Sequence, residues 1–113
     1  MGYQEIKDTL YRGHRKIANN TKLELCEGTH EECIDMRLHG NVVARFYPDY
    51  LELFSGGWYT PTTKNRLNLA LDVAGVCGYS VWQHNYHWYY GYLLSGEWFE
   101  NGMRLDYQGN RLN

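Results

Sequence analysis

The sequence predicts an α+β fold in which an antiparallel β-meander packs against one main helix. Three observations support this prediction. Short stretches of alternating polar and apolar residues, separated by turn signals, fill the first half of the chain. One strong helical pattern covers about residues 62–74, and further strand-like stretches follow it. Since no repeat or linker interrupts the chain, residues 1–113 are expected to form a single domain.

The first predicted element is a short N-terminal helix. Tyr3, Ile6 and Leu10 recur at helical spacing, and Gly13 is placed to end the helix. A brief strand over residues 16–18 follows and leads into a turn at Asn19-Asn20, because Asn tolerates a positive φ.

Alternation then defines the strands of the meander. One strand begins at Thr21, and a second covers Cys33–Leu38 after a polar loop. Two more are expected over residues 42–47 and 50–54. Taking Gly40-Asn41 as a two-residue hairpin loop fixes a register. It pairs Leu38 with Val43, Arg37 with Ala44, and Met36 with Arg45.

The main helix is predicted over about residues 62–74. Its apolar face repeats at helical spacing, and Gly75 ends it. Either Thr62 or Thr63 can cap its first turn. The members of the apolar face are Leu67, Ala70, Leu71 and Ala74.

The region after the helix is expected to return to β structure. Residues 79–82 and 87–92 are strand-like and flank a polar turn at His84-Asn85. The Asn101-Gly102 pair indicates a C-terminal hairpin between Phe99 and Leu105.

Composition excludes several classes of protein. A net charge of −2 and a pI near 6.2 argue against a dedicated duplex-DNA binder. No apolar run approaches the roughly 20 residues of a membrane span, and the N-terminus lacks a signal-peptide pattern. Three cysteines do not complete a disulfide framework. The expectation is a soluble cytosolic protein with reduced thiols and no membrane partner.

The aromatic content points to a binding surface. A core of this size cannot enclose 11 Tyr and 4 Trp, so several rings must reach solvent. Tyr and Trp are favoured at interfaces because they bring large contact area at low entropic cost. The alternative is a β-sheet that carries tyrosines on its solvated face.

The junction before the main helix is the most distinctive stretch. Gly56-Gly57 precedes Trp58, and threonines and two cations follow at the helix start. With Arg37 and His39 from a nearby strand, these groups suit a phosphate or a single-stranded nucleotide. The alternative is a well-capped helix under a Trp lid, with Arg37 paired to Asp35 or Glu52. The other proposed binding residues of this junction are Thr60, Thr62, Thr63, Lys64 and Arg66.

Catalytic and metal-binding patterns are weak. Cys26, His30 and Cys33 bring three soft-metal ligands into one loop, but zinc usually requires a fourth ligand from a second element. We therefore predict no metal and no cofactor. No triad, P-loop, dinucleotide fingerprint or paired catalytic carboxylates occur, so an enzyme is not indicated.

Three segments carry a family resemblance: Lys16-Ile17-Ala18-Asn19-Asn20-Thr21, Arg37-Leu38-His39-Gly40, and Gly56-Gly57-Trp58 through Thr62-Thr63-Lys64-Asn65-Arg66. In this order they resemble a group of small proteins encoded by tailed bacteriophages. The similarity covers about residues 15–105, with the N-terminal helix as an addition. It implies a phage origin and a place in the host bacterial cytoplasm, and it implies no particular activity.

The leading hypothesis is a phage accessory protein of the host-takeover or anti-defence type, which binds a host protein through aromatic anchors. The runner-up is nucleic-acid or nucleotide binding at the helix start, and a hydrolase with His39 as general base is a weaker third. Uncovered strand edges at residues 50–54 and 89–92, which carry little charge and no Pro, also predict a homodimer whose interface includes rings from Tyr86 to Tyr92. The expected anchors are Trp58, Trp88, Tyr89 and Tyr90, surrounded by Arg37, Lys64 and Arg66.

Overall fold

A computed structural model describes residues 2–26 and 31–113. These residues form two helices and nine strands, and the predicted α+β class is confirmed. In chain order the elements are α1 Tyr3–Asp8, β1 His14–Ala18, β2 Thr21–Cys26, β3 Cys33–Leu38, β4 Asn41–Phe46, β5 Leu51–Leu53, α2 Pro61–Ala74, β6 Tyr79–His84, β7 His87–Tyr92, β8 Ser95–Trp98 and β9 Met103–Leu105.

The larger sheet is an antiparallel meander with one added strand. Strands β1 to β5 lie side by side in chain order, and β9 pairs with the outer edge of β5. Alternation explains its two faces, since Ile34, Met36 and Leu38 of β3 point into the core. Helix α2 covers that core face and buries Leu67, Ala70, Leu71 and Ala74, as predicted.

The predicted register of the β3–β4 hairpin is wrong. The two loop residues are His39 and Gly40, with φ values of 51° and 85°, rather than Gly40-Asn41. Leu38 therefore pairs with Asn41 and Arg37 with Val42. An irregularity between Met36 and Arg37 then pairs Met36 with Ala44 rather than with Arg45.

Helix α2 begins one residue earlier than predicted, and its cap is Thr60 rather than Thr62 or Thr63. The Thr60 hydroxyl accepts a hydrogen bond from the Thr63 N–H at 3.2 Å. Pro61 then occupies the first helical position, where a missing N–H costs nothing. At the other end Gly75 adopts φ 74° and ends the helix, as predicted.

Helix α1 is shorter than its periodicity predicts. The helix ends at Asp8, and the Thr9 hydroxyl at its C-cap donates to the Ile6 carbonyl at 2.7 Å. A tight turn at Arg12-Gly13 then starts β1 two residues before the expected strand. Tyr3 and Ile6 are buried and anchor the helix on the core.

The smaller sheet contains β6, β7 and β8 in that order. Its first edge is closed by α2, because the side-chain amide of Asn68 bonds both backbone groups of Val81. Val81, Trp88 and Tyr90 on its inner face join the same core as the larger sheet.

The C-terminal turn differs from the prediction. Asn101-Gly102 forms a turn, but it carries the chain from β8 in the smaller sheet to β9 in the larger one. Met103 therefore pairs with Leu53 instead of with the residues before the turn. The hairpin of this region is β7–β8, closed by Leu93-Leu94.

Within the described residues, no helix is long and apolar enough to cross a membrane.

Candidate functional site

Three aromatic rings form a row across the outer face of the smaller sheet. Trp82 on β6 faces Tyr89 on β7, and Tyr89 faces Trp98 on β8. The first pair is stacked at 5.8 Å between ring centroids, and the second meets edge to face at 6.4 Å. His87 extends the group, with its ring 5.0 Å from that of Trp98. Cross-strand register therefore holds the rings in one continuous row, which we call the ring row (Trp82, Tyr89 and Trp98).

A strip with small side chains lies beside the ring row. Ser80, Gly91 and Gly96 occupy the next register position on the same face. A Cβ atom on Gly91 would lie 2.2 Å from the Ser95 carbonyl oxygen, so glycine is required there. A shallow hollow of about 660 Å³ lies beside Gly96, with Trp82 and Tyr89 in its wall. The outer face thus combines raised rings with a low backbone strip.

Two apolar hairpin tips flank the sheet. Asn85-Tyr86 closes β6–β7 and Leu93-Leu94 closes β7–β8, and all four residues have positive φ between 50° and 69°. Positive φ is unusual for large non-glycine residues. Tyr86 is 94% exposed, and the two leucines are about 70% exposed. Large apolar side chains thus occupy strained, solvent-facing positions, a combination that folding alone does not favour.

The ring row lies in a segment with almost no charge. Between residues 79 and 98 Glu97 is the only Asp, Glu, Lys or Arg. The lack of Lys and Arg in this segment distinguishes it from the basic grooves that hold nucleic-acid backbones.

The predicted anchors of β7 divide between the two faces of the sheet. Tyr89 lies on the outer face, in the ring row. Trp88 and Tyr90 point inward with 6% and 3% exposure, so the expectation that they present a binding surface is wrong. Trp88 packs edge-on against Tyr59, and the Tyr90 hydroxyl donates to the Gly109 carbonyl at 2.8 Å.

Sequence reasoning missed Trp82 and Trp98 as surface rings. The sequence pattern predicts a strand that contains Trp82 but not the face on which its ring lies, and it does not predict β8. The available signal was the two-residue alternation through β6 and β7, which places Trp82 opposite Tyr89 once the Asn85-Tyr86 turn is fixed.

The predicted junction does form a concave site. A pocket of about 480 Å³ lies between the β3–β4 hairpin and the start of α2. Trp58 is 66% exposed at its rim, and Leu38 and Val43 belong to its apolar wall. The predicted site residues that line it are His39, Trp58, Thr60, Thr62 and Thr63.

The cations expected at this pocket lie elsewhere. Arg66 donates to the Thr21 hydroxyl at 2.7 Å, and Arg37 donates to Asp35 at 3.3 Å, the pairing foreseen as the structural alternative. Lys64 is half-buried and is not part of the pocket lining. Among the described residues that line the pocket, His39 is the only titratable one, so a hydrolase would lack a second acid–base group.

A cluster of two cysteines and one aspartate lies on the outer face of the larger sheet. Cys26 and Cys33 face each other across β2–β3, and Asp35 follows on the same face. Their ligand atoms all lie within 4.8 Å of one another. Burial and a hydrogen bond to Asp35 raise the pKa of Cys26 to about 12, and burial raises the pKa of Cys33. Both thiols are therefore protonated at neutral pH. His30, the third predicted ligand, lies outside the described residues.

Comparison with protein families gives one finding. The family model described as Kyanoviridae Gp96 protein matches residues 3–106. The match includes α1, so the expectation that this helix is an addition is wrong. Neither the curated proteins nor the solved structures give a match.

Proposed function

The chain belongs to the Kyanoviridae Gp96 family of phage proteins, and from this premise we propose that it is an accessory protein that binds a host protein in the infected cytoplasm. The proposed contact surface is the ring row together with the tips at Tyr86 and Leu93-Leu94. The observation that carries the proposal is the cross-strand alignment of Trp82, Tyr89 and Trp98 on a solvent-facing sheet.

The chemistry of this surface favours a protein partner. Trp and Tyr dominate binding hot spots, where truncation of one central ring typically costs about 2 kcal/mol or more. A row held by strand register is already ordered, so binding loses little side-chain entropy. Nucleic acid is disfavoured because residues 79–98 offer no Lys or Arg to phosphate groups.

The test is site-specific photocrosslinking in infected host cells. A photoreactive phenylalanine analogue replaces Tyr86, which lies at a flanking tip and is 94% exposed. The matched control replaces Tyr11, which is 74% exposed in the turn before β1. We expect one defined host-protein adduct from position 86 and none of that mass from position 11.

A second substitution ties the adduct to the ring row. Trp98→Ala removes an exposed ring and is expected to abolish the position-86 adduct, whereas Trp58→Ala, which removes a ring of the pocket and not of the ring row, should leave it intact. Circular dichroism of both variants checks that the fold persists. Equal crosslinking from positions 86 and 11, insensitivity to Trp98→Ala, or adducts with the chain itself alone would each contradict the proposal.

Nucleotide binding in the Trp58 pocket is a second candidate function. The supporting observation is its concavity, with a stacking ring, a histidine and three threonine hydroxyls around about 480 Å³. The test is a titration with ATP and with a short single-stranded oligonucleotide, monitored by Trp fluorescence in the wild type and in Trp58→Phe. Binding that depends on Trp58 and His39 but not on Lys64 fits the pocket. If no fluorescence change depends on Trp58, nucleotide binding in this pocket is ruled out.

A further inference from the structure

The cluster of Cys26, Cys33 and Asp35 has the composition of a metal site. The two thiols occupy the last facing pair of β2–β3, so the sheet itself brings them together. Alternation along β3 adds the Asp35 carboxylate on the same face. Two sulfurs and one carboxylate oxygen are a ligand set that suits Zn²⁺ and similar thiophilic ions.

The spacing is close to what a tetrahedral ion requires. Metal–sulfur bonds of about 2.3 Å and metal–oxygen bonds of about 2.1 Å put neighbouring ligand atoms about 3.5–3.8 Å apart. The three ligand atoms already lie within 4.8 Å of one another. Small side-chain rotations close the remaining gap, because Cys26 lies at the end of its strand and is only half-buried.

The charge of the cluster is also compatible with an ion. A divalent cation adds two positive charges and displaces one proton from each of the two thiols. The net charge of the cluster is therefore unchanged. The Asp35 carboxylate pairs with the guanidinium of Arg45, whose Nε donates to Oδ1 at 2.7 Å. A carboxylate has about four lone-pair sites, so a metal bond does not require the loss of this ion pair.

We infer that Cys26, Cys33 and Asp35 bind one thiophilic divalent metal ion of the Zn²⁺ type. Three protein ligands leave the fourth tetrahedral position to water, which reaches the site past half-buried Cys26. The ion ties β2 to β3 at the base of their connection and so stabilises the folded chain.

Cobalt titration of the reduced full-length protein tests this inference. Co²⁺ serves as the probe because thiolate ligation gives a charge-transfer band in the near ultraviolet and tetrahedral geometry gives visible bands. We expect saturation at one Co²⁺ per chain, release of two protons per ion, and displacement by Zn²⁺. Zn²⁺ should also raise the thermal unfolding temperature.

Single substitutions identify the ligands. Cys26→Ser is expected to remove the charge-transfer band and the Zn²⁺-dependent thermal shift, and Asp35→Asn to weaken both. The matched control is Cys77→Ser, which alters an exposed cysteine outside the cluster and should change neither. Because Cys33 is buried and its replacement risks misfolding, half-buried Cys26 decides the test.

Three results would overturn the inference. One is the absence of the band in reduced wild-type protein. Another is a band that survives Cys26→Ser or disappears in Cys77→Ser. The third is uptake of metal only after oxidation, with a Cys26–Cys33 disulfide recovered by mass spectrometry, since a disulfide has no thiolate to offer.

Discussion

The side chain of Asn68 on α2 pairs with the backbone of Val81 on β6. Its amide nitrogen donates to the Val81 carbonyl at 2.9 Å, and its amide oxygen accepts from the Val81 N–H at the same distance. A single side chain thus supplies the hydrogen bonds that a neighbouring strand would make. This pairing both docks the smaller sheet on α2 and protects one of its edges.

Asn68→Ala is expected to lower the free energy of unfolding by about 2–3 kcal/mol, because two backbone groups of half-buried β6 lose their partners. Urea denaturation measures the change. The matched control is Asn65→Ala on the exposed side of α2, with an expected loss below about 0.5 kcal/mol. Similar losses in both variants would refute a special role for Asn68.

The contact of Gly91 with Gly96 predicts a strong steric effect. Gly91→Ala places Cβ 2.2 Å from a backbone oxygen, and Gly96→Ala places it 2.1 Å from another. Each is expected to cost at least about 2 kcal/mol, since backbone must move. Ser80→Ala, in the same register row, is the control and should cost less than about 0.5 kcal/mol. Chemical denaturation of the three variants decides whether the strip is as tightly packed as described.

Thr60, not Thr62, should control the stability of the α2 N-terminus. Thr60→Ala removes the hydroxyl that accepts from the Thr63 N–H and is expected to cost about 1 kcal/mol. Thr62→Ala leaves that bond in place and should change stability by less than about 0.5 kcal/mol. Unfolding midpoints measure both changes, and a larger loss from Thr62→Ala would show that Thr62 caps the helix instead.

Stability is expected to fall at alkaline pH. The folded-state pKa of Cys26 is about 12 against an ordinary 9.0, because burial and the hydrogen bond to Asp35 favour the neutral thiol. This contribution is complete below pH 9 and is lost as the pH rises towards 12, and burial raises the pKa of Tyr47 to about 12 with the same effect. Urea unfolding across this window measures the decline. Cys26→Ser should make it shallower, and identical declines would show that Cys26 contributes nothing.

The expectation of free edges at residues 50–54 and 89–92 is wrong, because β5 lies between β4 and β9 and β7 lies between β6 and β8. The edge of β8 predicts a homodimer instead. Arg15 and Lys16 place positive charge on the sheet edge formed by β1. The C-terminal residues cover the edge of β9, where the Leu112 N–H donates to the Arg104 carbonyl. Within the described part of the chain, β8 has a strand neighbour on one side only. Two-fold pairing of β8 with its copy would join both ring rows on one face. We expect a mass of twice 13.4 kDa by light scattering at micromolar concentration.

The matched variant for this prediction is Ser95→Lys, which adds a charge to the β8 edge without touching the ring row. It should shift the mass towards the single chain. A wild-type mass near 13.4 kDa at all concentrations would show that the edge remains unpaired.

Local sequence patterns predict most of the helices and strands, because these elements depend on local chemistry. The burial of Leu67 and Leu71 follows from 3.6-residue spacing, and the end of α2 follows from the positive φ that Gly75 permits. The β3–β4 register was less predictable. It depends on His39 adopting a positive φ of 51°, a conformation uncommon for non-glycine residues although His adopts it more often than most.

The candidate site depends on long-range contacts, and prediction was correspondingly weaker. His39 and Trp58 meet at one pocket as expected, because the β3–β4 hairpin and the α2 start lie on the same end of the sheet. Arg66 was expected there but bonds Thr21, 45 positions away. No local sequence pattern determines whether Arg66 bonds Thr21 or lies at the pocket.

The pairing of β5 with β9 has a consequence for how the chain comes to be folded. Leu53 and Met103 are neighbours in the larger sheet but lie about fifty positions apart in sequence, with α2 and the whole smaller sheet between them. Closing so long a loop is entropically unfavourable until the intervening segment has compacted. As the ribosome releases the chain from its N-terminus, β5 therefore lacks this partner until the roughly fifty residues between Leu53 and Met103 have been synthesised.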